Sequence, residues 1–151
     1  MIDVTTETVP CLDEALIRER LRCARFARLA YVDGEQPVVV PVNIVSDETQ
    51  HVMLRTAAES ALARLDGRRV SVEIDGHDSA TRSGWSVLVR GVARDATDAS
   101  DVAARRWRQI TVDTWAPGVR DRLIVVLPLS ITGRVIPTNA DSGWFAGVPG
   151  S

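Results

Sequence analysis

The chain of 151 residues has no lysine: all 18 of its basic residues are arginine. Any anion site must therefore be built from guanidinium groups, hydroxyls or backbone amides. Against 20 acidic residues the formal net charge is -2, which excludes a wholesale polyanion-binding surface, although arginines can still cluster locally. No apolar run approaches the roughly 18 residues of a membrane-spanning helix. The opening "MIDVTTETVP" is acidic and polar rather than a secretory leader, so the cytoplasm is the expected location. Cysteine is scarce as well. Cys11 and Cys23 fall in one expected helix, about 18 Å apart along its axis, too far for a bridge. No His/Cys cluster surrounds them, so both are expected to be packing residues rather than metal ligands. The two histidines, His51 and His77, have neither metal-ligand spacing nor a nucleophile motif beside them, and no metal site is expected.

What is present suits one globular domain: 45% hydrophobic and 25% charged residues, ordinary values for a chain able to bury its own core. We divide the chain into a loose arm at 1–10, a domain over 11–137, and a Gly/Ser/Pro-rich tail at 138–151. "LDEALIRERLRCA" reads as a helix over 12–24, with Leu12, Ala15, Leu16, Glu19 and Cys23 along one stripe. Strand-like runs at 28–32, 37–45 and 51–55, parted by "DGEQP" and "SDET", predict a three-strand meander. A short helix at 57–65 and a strand at 69–75 follow, then the loop "GHDSATRSG" and an alternating strand from Trp85 with a bulge at Gly91. "DASDVAARRWRQI" reads as a helix capped by Asp98 with Asp101 at its third position. The loop "TWAPGVRD" leads into two closing strands at 122–129 and 131–137. Short turns imply antiparallel pairing, and six or seven such strands close most readily into a small barrel with helices outside.

The segment "VMLRTAAESALARLDG" carries the sharpest chemical question. An Arg55-Thr56 pair at a strand end, followed by helix amides, makes a cradle for a phosphate. The same letters also fit a capping box, Thr56 to the amide of Glu59 and Glu59 back to Thr56, which would satisfy those donors internally. Trp85 reads equally as a core or interface aromatic. The arginines at 18–28 and in "ARRWR" at 104–108 read as solvated helix faces, diluted by nearby acids, and no nucleic-acid partner is expected.

The runs "RLAYVDGEQPVVVPVNIV", "LRT", "VEIDGHDSATRSGWSVLVRGVA" and "WAPGVRDRLIVVLPLSITGRVI" resemble, in that order over residues 12 to 136, the pyridoxamine 5′-phosphate oxidase-related, FMN-binding split-barrel family. The likeness is strongest to its small actinobacterial branch. The resemblance implies a mainly β, six- to seven-stranded antiparallel split β-barrel with flanking helices, forming a homodimer with flavin sites at the subunit interface. It implies FMN as cofactor, with Arg55, Thr56 and Ser60 at the phosphate, Asn43 bordering the flavin ring, and Trp85 and Ser86 near the cofactor. Trp115 and Arg120 would reach the partner subunit's site. The chain departs from the family pattern at Ala61, where a lysine is usual, and at Glu59, where a small residue is usual; Arg64 is placed to restore a charge. Two readings stay open, since this fold hosts many chemistries. One is an FMN-dependent oxidoreductase acting on a small molecule. The other is a ligand-binding or interaction module that has lost tight FMN binding, or that uses deazaflavin or haem.

Overall fold

The computed structural model describes residues 10–136, so most of the expected arm and the whole tail lie outside the described residues. Seven strands run β1 (Phe26–Asp33), β2 (Gln36–Asn43), β3 (Val45–Ser46), β4 (Val52–Thr56), β5 (Arg69–Asp78), β6 (Ser83–Asp95) and β7 (Arg122–Ile136). Two helices, α1 (Glu14–Cys23) and α2 (Val102–Arg108), pack on them. All strand pairs are antiparallel, in one sheet of order β2-β1-β5-β6-β7-β4-β3. The two edge strands, β2 and β3, are joined by the single residue Ile44. One residue spans only a few ångströms, so the sheet must curl until its edges meet there. This is the split barrel the sequence implied, with the split where β2 and β4 part.

The interior is filled by alternate residues of the strands: Leu29, Val72, Val87, Val89, Leu54, Ile124 and Val126. Helix α1 adds Ile17 and Leu21 to this cluster, seated over Gly133, where a Cβ would stand 2.8 Å from that of Leu12. A second cluster lies on the outer side of the sheet, where Met53, Leu123 and Val125 are covered by Ala104 and Trp107 of α2. The sheet bends at a register shift between Arg90 and Gly91, as the sequence suggested. Only glycine fits there, because a Cβ on Gly91 would lie 2.2 Å from the Leu127 carbonyl oxygen. Edge strand β2 carries Pro37 and Pro41, which lack the N–H that would invite another strand.

Several expectations are corrected. There is no three-strand meander: β4 pairs with β3 and β7, because buried Ile44 carries the chain from one sheet edge to the other. The two closing strands are one 15-residue strand. The helix expected at 57–65 is a four-residue 3-10 turn, Ala61–Arg64, and that at 98–110 begins only after Asp101, whose Oδ1 accepts from the Ala104 amide at 3.1 Å. Asp98 instead accepts from Arg122 at 3.3 Å. On α1 the buried pair is Ile17 and Leu21; Asp13 caps the helix and leaves Leu12 before it. Cys11 therefore lies outside the helix and Cys23 falls on its far side, so both thiols are exposed and free rather than packed.

Candidate functional site

The side chains singled out from sequence fall into two groups at opposite ends of β7. The first lies along the split. Val45 pairs with Met53, and continuing that register by two residues sets Asn43 beside Arg55. Both belong to the outer face, since Ile44 and Leu54 between them point into the core. Asn43 is engaged within the chain: its Oδ1 accepts from the Trp115 amide at 2.8 Å and its Nδ2 donates to the Arg25 carbonyl at 3.3 Å. The Trp115 ring, 66% exposed, stacks on Phe26, 45% exposed, at 5.5 Å and 12°. A flat aromatic shelf thus stands beside the Asn43 backbone. Phe26 was missed from sequence; a phenylalanine opening a strand carries no signal of its own. Arg120 curls back on its own loop, toward the carbonyls of Ala116 and Pro117.

Arg55 is half-buried and, among the described residues, has no ion-pair partner, which leaves its donors available to an anion. Its sequence neighbours do less than expected. Thr56 is 2% exposed, on the core-facing side, and forms the last rung of the β4–β7 ladder with Arg122. The helical turn begins only at Ala61, so the Thr56/Glu59 box does not form. Ser60 caps instead, its Oγ accepting from the Leu62 amide at 3.2 Å. One turn of four residues offers no helix N-terminus for a phosphate. Arg64 is exposed in that turn and Glu59 is exposed before it. The residues present fit a phosphate at Arg55, without the hydroxyl and amide support expected around it.

The second group lies at the other end. Ser86 pairs with Arg134 and Asp75, on the outer face. A groove of about 400 Å³ opens there, lined among others by Glu73, Asp75, His77, Arg82, Ser86 and Arg134. Arg28 bridges Glu73 at 3.2 Å and Asp75 at 3.0 Å. Burial, then the Asp75 charge, push the Glu73 carboxyl above its usual value against the pull of Arg28. Trp85 alternates with Ser86 and packs on the inner side, its ring lying over Gly76 with Arg20 above it at 4.5 Å. From Leu123, opposite Arg55, to Arg134, opposite Ser86, β7 runs eleven residues, about 36 Å of strand. The structure brings Asn43 and Trp115 together, sets Arg55 beside Asn43, and places Ser86 and Trp85 at the other end of β7.

The arginine clusters are largely structural. Arg25 donates to the Arg22 and Ala24 carbonyls at 2.9 and 2.8 Å, and Arg108 to those of Ala96 and Ala99 at 2.8 and 2.7 Å. A polar hub unseen in the sequence reading ties the β3–β4 turn to α2. Asp47, its side chain 5% exposed, accepts from the amides of Thr49 and His51, from Thr49 Oγ1 and from Trp107 Nε1. Burial alone would raise its pKa; these donors, with the His51 ring, outweigh that and hold it below the usual carboxylate range. The letters "SDETQ" do carry the Asx-turn pattern that could have flagged it. Among the described residues no group of His, Cys, Asp and Glu is arranged to hold a metal ion, and no helix is long and apolar enough to cross a membrane.

Comparison with known proteins follows the same lines. Residues 13–135 match the family model described as pyridoxamine 5′-phosphate oxidase. The structure resembles the FAD binding protein from Mycobacterium smegmatis, with a TM-score of 0.70 and 28% identity over 85% of this chain and 99% of that one. A FAD-binding protein from Mesorhizobium loti shares the fold at a TM-score of 0.67, with 23% identity over 85% of this chain and 98% of that one. In sequence, an uncharacterized protein of Mycobacterium tuberculosis is 29% identical over 126 residues, 80% of either chain.

Proposed function

We propose that this chain, which belongs to the pyridoxamine 5′-phosphate oxidase family, is a cytoplasmic flavin-dependent oxidoreductase that works as a homodimer on a small molecule, as members of its small actinobacterial branch would. The observation that carries the proposal is the separation of the two residue groups. Arg55 and Ser86 are set apart by eleven residues of β7, a strand contour of about 36 Å. A composite site, with Arg55 from one subunit and Ser86 from its partner, would let both serve one ligand. A two-fold dimer supplies that arrangement twice.

In this reading Arg55 holds a flavin phosphate as a charge-assisted pair, and Asn43 presents its backbone to the ring edge while its side chain fixes Trp115. Trp115 and Phe26 form an apolar shelf that excludes water from one side of the ring. A bound flavin would supply the hydride chemistry; these residues bind and orient it. FMN is the cofactor of the preferred reading. A FAD reading has one specific support, the likeness to the FAD binding protein from Mycobacterium smegmatis, and suits a phosphate segment with no lysine at position 61.

The test is subunit mixing. Arg55→Ala and Ser86→Trp chains should each lose flavin retention. Refolded together, they should regain about one quarter of the sites, the statistical yield of a two-fold dimer with composite sites. No recovery on mixing would overturn the composite site. A protein that neither retains flavin nor quenches added FMN or FAD fluorescence would overturn the flavin reading itself. Identification of the flavin released on denaturation separates FMN from FAD.

A further inference from the structure

Arg20 is a cation without a counter-charge. Its guanidinium lies over the Trp85 ring at 4.5 Å, and among the described residues its side chain makes no ion pair or hydrogen bond. Its Nε is buried without a partner, which is rare for so polar a group. Nearby arginines differ: Arg18 pairs with Glu14 at 3.1 Å, Arg25, just after the helix, holds main-chain carbonyls, and Arg22 is exposed to water. Arg20 faces a groove of about 560 Å³ between α1 and the β5–β6 hairpin. Leu12, Leu16, Trp85, Val135 and Ile136 make its walls apolar.

The walls are held in place by glycines. A Cβ on Gly76 would stand 2.6 Å from Trp85 Nε1, so its absence lets the indole lie flat on the hairpin. Gly133 does the same for Leu12 and Ile17. Asp78 also lines the groove, but its carboxylate accepts from the amides of Ala80 at 2.9 Å and Thr81 at 3.4 Å and so is fixed in its own turn. His77 is exposed and lies in the hairpin arm. One open guanidinium edge, held face-down by a cation–π contact and backed by apolar walls, matches a single carboxylate on an apolar body.

We infer that this groove binds a small amphipathic carboxylic acid, its carboxylate on Arg20 and its apolar part against Trp85, Leu12 and Leu16. The site lies on the inner side of the hairpin, away from Arg55 and Asn43, and shares its rim at Gly76, His77, Ser83 and Gly84 with the groove beside Ser86.

The experiment uses the full chain, 15N-labelled, titrated with cyclohexanecarboxylate and, as the uncharged isostere, cyclohexanecarboxamide. The Arg20 Nε–H and Trp85 indole resonances are assigned with Arg20→Lys and Trp85→Phe. The acid should shift both saturably, and the amide should bind at least about tenfold more weakly. Arg20→Gln should weaken the acid at least about tenfold. Leu16→Trp, which fills the groove and keeps the arginine, should abolish binding while the thermal midpoint reports an intact fold. No saturable shift at millimolar acid would overturn the site. Equal binding of the amide, or unchanged binding in Arg20→Gln, would overturn the carboxylate assignment.

Discussion

The two ends of β7 treat a polar group inside an apolar surround in opposite ways. Beside the Arg122 half, in the turn just before the Val52–Val126 pair, Asp47 is nearly buried and gathers donors from its own turn and from Trp107 of α2. At the Arg134 end, Arg20 lies on Trp85 with no acceptor for its side chain among the described residues. A satisfied buried network rigidifies what it joins, whereas an unsatisfied group marks either a cost or a vacancy for a ligand. The first end reads as scaffold, holding α2 and hence the loop that delivers Trp115 to Asn43. The second reads as a place where something else completes the bonding.

That contrast is most easily broken at Asp47. Asp47→Ala should cost about 3 kcal/mol, because it strands the Trp107 indole N–H and two turn amides with no acceptor. Urea denaturation measures it, and a loss under about 1 kcal/mol would mean that water replaces the carboxylate freely. The same group sets an acid limb. Its folded pKa lies below the unfolded value, so its stabilisation is present above the usual carboxylate range and fades as the pH falls through the lower, folded value. Asp47→Asn should therefore flatten the stability profile between those two values, read from thermal midpoints. An unchanged slope there would place the acid sensitivity elsewhere.

Next in size is Gly133→Ala, which places a methyl against Leu12 and Ile17 and lifts α1 from its seat at a cost of about 2 kcal/mol. The comparison predicts that this damage stays local. The Trp85 indole resonance should move while the Trp115 resonance and flavin affinity stay put. Coupled movement of both would show that the ends communicate through the barrel.

Much of this division was visible in the letters, and the exceptions have physical causes. The strands, the Gly91 bulge and the antiparallel barrel follow from alternation, turn residues and one glycine that admits no Cβ. Helix phases were harder: in α1, Leu16 and Ile17 compete for the core, and the seat made by Gly133, over a hundred residues away, decides for Ile17. Thr56 shows the limit of local capping rules: it closes the β4–β7 ladder with Arg122, and the helical turn that the box would cap begins only at Ala61, after Ser60. The separation of Arg55 from Ser86 was invisible for the same reason, since it depends on which strands β7 pairs with along its length. Asp47 and Arg20 needed the tertiary structure, because partners and their absence are properties of space.

The smallest stability effect expected is at Arg55, and it bears most directly on function. Arg55→Ala removes a half-buried guanidinium that supports no ion pair among the described residues, so the folding free energy should change by no more than about 0.5 kcal/mol. Flavin affinity should nevertheless fall at least about tenfold, since one charge-assisted contact to phosphate is worth more than 1.4 kcal/mol. Adding a cation nearby should act in reverse: Glu59→Gly with Ala61→Lys removes one exposed negative charge and adds a positive one in the turn after Arg55. Fluorescence quenching of titrated FMN reads both effects, and denaturation confirms that the fold is untouched. If Arg55→Ala lowered stability and affinity together, Arg55 would belong to the scaffold and the phosphate would be held elsewhere. If it lowered neither, the split would be only a seam in the barrel.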